Sequence, residues 1–267
     1  VNRTDGFLLG GRVQHAQPAR GFRSGIEPVL LAAAIPARPG QRVLEAGTGS
    51  GAALLCLAER VPSLFGVGVE LDPAMAGLAQ ANARANDRRD LLFIAADIAR
   101  LPLAGGFDHA FANPPYHLAA GGVSPDPSRE RAKHASPALL AVWAAALSAS
   151  LRHRGTLSFV LPAAHLPVCL AAMAAAGCAV ADLYPFWPRL ARPAKLMVVR
   201  GIRGGRMPMR LHSGLVLHGP DGAYSAAAER ILRDGAALDQ PARAGETEVP
   251  AAPDPAILSG VPRLTAQ

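Results

Sequence analysis

The sequence predicts an α/β fold, a mainly parallel sheet with helices on both faces. Three observations predict it. Short apolar segments alternate with longer helix-forming ones along most of the 267 residues, the order that strand–helix–strand units require. A glycine-rich turn, Gly47-Thr48-Gly49-Ser50-Gly51, joins one apolar segment to the helical segment after it. Half of the residues are hydrophobic but only 5% are aromatic, so the core between sheet and helices must be built from Leu, Val and Ala.

Residues 1–40 read as an opening segment punctuated by glycine and proline. Within it Glu27–Ile35 is expected to be a short helix, with Pro28 in the first turn, where its missing N–H costs nothing. The main domain is expected over 41–238. It begins with a buried strand, Val43–Glu45, the glycine turn and a helix, Ala52–Arg60. A second strand follows at Leu64–Glu70, then a helix that Pro73 opens and that runs to about Asn86. Leu91–Ala95 and Asp108–Ala112 are the third and fourth strands. After a polar stretch come a helix at Ser136–Leu151, a strand at Thr156–Leu161 and a helix at Ala164–Ala176. Ala179–Leu183 and Lys195–Gly201 are read as a closing hairpin through a loop containing Trp187. Residues 239–267, rich in Pro and Ala without a period, read as a flexible tail.

Several function classes are disfavoured by composition. The longest apolar runs, Pro137–Leu151 and Leu166–Val180, are shorter than the roughly 20 residues of a membrane span, and no charged-then-apolar signal opens the sequence. Cys56, Cys169 and Cys178 are odd in number and lack metal spacing, which reads as buried thiols in a reducing cytoplasm. His15, His134, His153, His165 and His212 have no ligand spacing, so no metal is expected. The net charge of +7 points towards a polyanion. Its distribution matters more than its size. Arg189, Arg192, Lys195, Arg200, Arg203, Arg206 and Arg210 follow one another with no acid between them, and Arg129, Arg131 and Lys133 form a second cluster. Alternate residues of a strand face opposite ways, so Arg189 and Arg192 before the strand and Arg203 and Arg206 after it are the expected phosphate contacts. A solvated basic face is the plain alternative.

The strand ends carry chemistry. Glycines at 47, 49 and 51 let the backbone turn sharply and let a ligand lie against it. Glu70 closes the second strand about one strand–helix unit later, where a carboxylate can accept both ribose hydroxyls of an adenosine. Asp97, in Ala96-Asp97-Ile98 after the third strand, can meet an adenine amino group. The fourth strand runs directly into Asn113-Pro114-Pro115-Tyr116. A planar amino group conjugated to a ring or carbonyl is a poor nucleophile because its lone pair is delocalised. The Asn113 side-chain oxygen and the Pro114 carbonyl can accept its two N–H bonds and draw it towards a tetrahedral shape. Consecutive prolines stiffen the backbone that aims the carbonyl, and Tyr116 offers a flat face on which a base can stack.

These residues carry a resemblance. The chain resembles a class I methyltransferase of the amino-methylating branch and, more narrowly, is similar to the bacterial tRNA1(Val) (adenine(37)-N6)-methyltransferase family over about Gly21 to Leu238. The similarity includes Arg23–Leu31, Val43–Gly51, Val69–Asp72, Ala96–Ile98, Asn113–Tyr116, Ser128–His134, Leu190–Arg200 and Asp221–Ser225. It implies a Rossmann-like seven-stranded sheet with one antiparallel strand, and a helix within residues 1–40 that covers the cofactor. It implies S-adenosylmethionine held by Glu45, Ala46, Gly47, Gly49, Gly51, Glu70, Leu71, Asp97, Ile98 and Asn113. Catalysis would fall to Asn113, Pro114, Pro115 and Tyr116. A tRNA is the implied partner of a cytoplasmic monomer or homodimer. Three departures stand out: Glu45 occupies a position where Asp is more usual, His117 follows the tetrapeptide, and the Pro-rich stretch Gly121–Ser128 has no clear counterpart.

The same tetrapeptide serves enzymes that methylate a glutamine side chain in a peptide-release factor, and a guanine N2-methyltransferase of ribosomal RNA is a third reading. Release-factor enzymes place a helical domain before the core, and here about forty residues precede Val43. An RNA-binding module with a vestigial cofactor site is the non-enzymatic alternative.

Overall fold

The computed structural model describes residues 3–19, 25–100, 105–115 and 137–238. Strands β1 (Arg3–Leu8) and β2 (Val13–Pro18) pair as an antiparallel hairpin ahead of helix α1 (Glu27–Ala34). The chain then alternates through β3 (Arg42–Ala46), α2 (Ala52–Arg60), β4 (Phe65–Glu70), α3 (Pro73–Ala85), β5 (Leu91–Ala95) and β6 (Phe107–Ala112). It continues with α4 (Pro137–Ser150), β7 (Leu151–Pro162), α5 (Leu166–Ala175), β8 (Cys178–Trp187) and β9 (Leu196–Arg203). Two short strands, β10 (Arg210–Leu211) and β11 (Leu215–Val216), and helix α6 (Ala226–Leu232) complete it.

The main sheet runs β10-β8-β9-β7-β6-β3-β4-β5, with β11 also on β8. Strands β3 to β7 are parallel, and β9 lies antiparallel between β7 and β8. The expected seven strands with one reversed member are therefore present, extended by two two-residue strands along the outer edge of β8. Those two are too short to show an alternating pattern in sequence. The opening hairpin also escapes a pattern reading: β1 is mostly exposed, and Phe7 at 67% exposure faces solvent. Strand β7 begins earlier than expected because Leu151 pairs with Phe107 before a register shift that accommodates Arg152–Gly155. Trp187 closes β8 rather than lying in the loop after it.

Alternation along the buried strands sends side chains into two cores. Phe111, Val160, Phe186 and Val198 pack with Leu30 of α1 and Leu54 of α2. Their sequence neighbours Ala110, Phe159 and Val199 join Leu147 of α4 and Met173 of α5 on the other face. Helix α3 starts as its sequence predicts: Asp72 Oδ1 accepts from Ala74 N–H at 2.8 Å and Pro73 occupies the first turn. Helix α1 ends against Arg60, whose Nη2 donates to the carbonyls of Ala32 and Ile35 at 2.9 and 2.5 Å. Such a guanidinium satisfies acceptors that a helix end leaves open. Among the described residues no helix is long and apolar enough to cross a membrane.

This topology fixes the site. Chain order reverses between β3 and β6, so a crevice opens between their carboxyl ends. Ala46 is level with Val69 of β4 and Ala112 of β6, and Glu70 with Ala95 of β5. The glycine turn, Glu70, the Ala96–Ile98 run and Asn113 therefore leave the sheet at one edge.

Candidate active site

The glycine turn needs its glycines. Gly47, Gly49 and Gly51 have φ of +63°, +57° and +86°, values that side-chain-bearing residues avoid. The N–H groups of Gly47 and Thr48 donate to Val69 O at 2.8 and 3.2 Å, which ties the turn to β4. A Cβ on Gly47 would lie 2.6 Å from the Trp143 ring of α4, and one on Gly51 would lie 3.1 Å from Phe93. A Cβ on Gly49 would meet nothing within 4 Å. Gly49 therefore presents the open face of the turn.

The acids around it differ in character. Glu45 is 3% exposed, and Thr48 Oγ1 donates to its Oε2 at 2.6 Å. Burial pushes its carboxyl up to about 8, against the Thr48 and Leu54 hydrogen bonds and reinforced by the nearby Glu70 charge. Burial thus biases Glu45 towards its neutral, protonated form. Glu70 is half-buried, and its two oxygens accept from Gly49 N–H at 2.9 Å and Asp72 N–H at 3.0 Å. It braces the turn against β4 and keeps acceptor capacity to spare, since a carboxylate offers about four lone-pair sites. Asp97 accepts from Ala99 N–H at 3.0 Å and pairs with Arg100 at 3.6 Å, with 43% of its side chain exposed. Ile98 beside it is buried, while Leu71 after Glu70 is 67% exposed at the mouth of the crevice.

Asn113 follows Ala112 and is half-buried, Pro114 is buried and Pro115 half-buried. By register Asn113 stands across the crevice from Gly47. Tyr116, Arg129, Arg131 and Lys133 lie outside the described residues, as do 239–267. The structure thus brings together Glu45, Ala46, Gly47, Gly49, Gly51, Glu70, Asp97 and Asn113 at one edge. Sequence reasoning missed the residues that brace them. Trp143 backs Gly47, and His15 and Asn82 hold Ser50. The visible signal for Asn82 was a partner one turn away, Asn86, on the same helix face.

The late basic series is divided between two edges of the sheet. Because β9 is the reversed strand, its start and end lie on opposite edges of the sheet, roughly 25 Å apart at strand rise. Arg189, Arg192 and Lys195 precede β9, are exposed and lie on the same edge as the crevice. Arg203 closes β9 and Arg206 follows it, both on the far edge. There Arg203 Nη1 donates to the carbonyls of Leu151 and, at 3.2 Å, Ala149. Arg200 is 7% exposed, and its Nε and Nη2 donate to Asp182 Oδ2 at 3.0 and 2.8 Å. Arg210 and His212 reach Oδ1 of the same carboxylate at 2.9 and 2.8 Å. Arg203 and Arg206, expected as phosphate contacts, thus lie on the edge opposite to that of the crevice. Tyr184 and Phe186 are core residues, 3% and 1% exposed.

Comparison with known proteins fits this geometry. A family model described as a methyltransferase domain matches residues 43–124. A predicted O-methyltransferase from Agrobacterium tumefaciens superposes with a TM-score of 0.64 at 21% identity, covering 77% of this chain and 94% of that one; it shares the fold. A release factor glutamine methyltransferase from Rhodospirillum rubrum is 42% identical, but over only 29% of this chain and 24% of its own length. The tRNA1(Val) (adenine(37)-N6)-methyltransferase of Actinobacillus succinogenes is 37% identical over 53% of this chain, an alignment spanning 61% of that relative. Its namesake from Aeromonas hydrophila is 30% identical over 84% of this chain and 94% of its own length. Likeness sustained through core and flanks of that relative makes the chain a member of the tRNA1(Val) (adenine(37)-N6)-methyltransferase family.

Proposed function

We propose that this chain transfers a methyl group from S-adenosylmethionine to the exocyclic N6 amino group of an adenine in a tRNA. The observation that carries the reading is the position of Asn113-Pro114-Pro115, leaving β6 at the switch point directly across from the glycine turn. The residues present fit the cofactor. Gly49 opens onto free space, Glu70 retains acceptor capacity for ribose hydroxyls, and Asp97 offers a half-exposed carboxylate for an adenine amino group.

When bound, the cofactor supplies a methyl group on a sulfonium that is already electrophilic. The protein's task is then to place and shape the acceptor amine. The Asn113 side-chain oxygen and the Pro114 carbonyl accept its two N–H bonds, and the interaction strengthens as the nitrogen becomes tetrahedral. Pro114 is buried, so that carbonyl is held by both ring geometry and packing. Tyr116 stacks on the base. No strong general base is needed, because the amine becomes acidic once methylated. Arg189, Arg192 and Lys195 are the proposed phosphate contacts. Their loop starts from β8, three strand spacings or roughly 15 Å along the edge from β6, a distance that a bound tRNA readily spans. Arg129, Arg131 and Lys133 are proposed partners in the same role.

The test is an acceptor comparison. Purified protein is given S-adenosylmethionine labelled in its methyl group, with total tRNA, ribosomal RNA or a peptide-release factor. Label is expected in tRNA; label confined to the release factor or to ribosomal RNA would replace this reading.

A further inference from the structure

We propose that His15 is a positioning residue for the cofactor turn, holding Gly47–Gly51 through Ser50 and making the β1–β2 hairpin part of the binding site. The proposal rests on the cofactor reading above. Ser50 is 5% exposed and is gripped twice. His15 Nε2 lies 2.9 Å from its Oγ, and Asn82 Nδ2 donates to its carbonyl oxygen at 2.9 Å.

Asn82 is itself keyed to the hairpin. Its Oδ1 accepts from Ala16 N–H at 3.0 Å and its Nδ2 donates to Ala16 O at 2.9 Å. One helical turn on, Asn86 repeats the pattern at Gln14, accepting at 2.8 Å and donating at 2.7 Å. Asn82 of α3 and Asn86, just past its end, thus pair the edge of β2 as a neighbouring strand would, and Asn82 satisfies the backbone groups of Ala16 that docking removes from water. A continuous set of hydrogen bonds runs from β2 through His15 and Asn82 to Ser50.

Two features say that this contact does more than seat the hairpin. His15 is 2% exposed, and its Nδ1 meets no partner among the described residues. A buried unpaired nitrogen is destabilising, so an apolar side chain would fill the space at lower cost. Burial lowers the His15 pKa to about 4, which keeps the ring neutral near pH 7. The second feature is the partner. Ser50 stands between Gly49 and Gly51, in a turn whose glycines lose more conformational freedom on ordering than any other residue. Fixing Ser50 from outside orders that turn before a ligand arrives, which raises affinity.

The experiment is a double-mutant cycle read by titration calorimetry of S-adenosylmethionine, with no acceptor present. His15→Ala and Ser50→Ala should each weaken binding about five- to tenfold, the scale of one hydrogen bond. The double variant should be no weaker than the singles, because they remove the same contact. His15→Gln, which can still reach Ser50, should recover most of the loss. In steady state KM for the cofactor should follow Kd while kcat at saturation holds. Hydrogen exchange over residues 47–51 of the cofactor-free His15→Ala protein should be faster than in wild type. Wild-type affinity in a folded His15→Ala protein, or losses that add in the double variant, would overturn the proposal. A wild-type protein that binds no cofactor would overturn the cofactor reading and this proposal with it.

Discussion

The β3–β6 half and the β7–β9 half of the sheet treat charged residues in opposite ways. In the first, every strand runs the same direction, so residues just past each strand end gather at one edge however far apart they are in sequence. Glu70, Asp97 and Asn113 belong to three different strand–helix units and converge because of that. In the second half, seven basic residues with no acid between them are scattered. The reversal at β9 sends Arg189 and Arg203 to opposite edges, and the pairing of β8 with β9 turns Arg200 inward onto Asp182. Burial opposes the Asp182 charge, but His212, Arg200 and Arg210 outweigh it and hold the carboxyl below its usual range. Spacing between motifs reports position when strands are parallel. Adjacency in a charge run does not when one strand is reversed.

The largest effect should come from the crevice. Asn113→Ala removes the acceptor proposed to act as the amine changes shape, so single-turnover rates should fall about 10²- to 10³-fold. Cofactor affinity by calorimetry should stay near wild type. A variant that retains a tenth of the rate would break the assignment of Asn113 and weaken the contrast between the halves.

Glu45 supplies a test without any substrate. Its folded pKa, about 8, lies above the ordinary 4.5. Between those values the native state holds a proton that the unfolded chain has lost. Its contribution is therefore fully present below pH 4.5 and is lost as pH rises through 8. The loss is on the order of a few kcal/mol. Unfolding midpoints of wild type and Glu45→Gln should be close at about pH 5 and diverge towards about pH 9, with wild type less stable. Parallel curves would mean that Glu45 is ionised and solvated despite its burial.

Glu70→Ala should weaken S-adenosylmethionine binding by about 1.5–3 kcal/mol, the scale of a lost charge-assisted hydrogen bond. Part of that loss should arise through Gly49, which Glu70 holds. Unchanged affinity in a folded variant would remove Glu70 from the site.

The arginines sharpen the comparison most finely. Arg189 and Arg192 changed together to Ala should flatten the salt dependence of tRNA binding by roughly one unit per lost contact. Arg203→Ala should leave that slope alone and instead lower stability by about 1 kcal/mol, since it frees carbonyls at the end of α4. The opposite pattern would put the RNA surface on the far edge.

Much of the first half was legible in advance. The glycine turn, two acids and the Asn-Pro-Pro run are each short, and each sits at a strand end that apolar runs mark plainly. Helix starts at Pro28 and Pro73 were legible for the same local reason. What escaped depends on contacts far apart in sequence. The hairpin has no apolar stripe, and its anchors Asn82 and Asn86 act by hydrogen bonds from α3. His15 reads in sequence as a histidine without ligand spacing; only folding brings it to Ser50. The fate of Arg200 and Arg203 depends on strand direction, which charge alone does not encode. Helix α6 is seven residues long and docks on α1, too short to declare itself by period.

The central claim, that this crevice methylates an adenine amino group, is tested most directly by the identity of the product. Total tRNA incubated with the protein and S-adenosylmethionine is digested to nucleosides and resolved by mass spectrometry, with the Asn113→Ala protein in parallel. The account predicts N6-methyladenosine in the wild-type reaction and a greatly reduced amount in the variant. N2-methylguanosine, or equal N6-methyladenosine from both proteins, would contradict it.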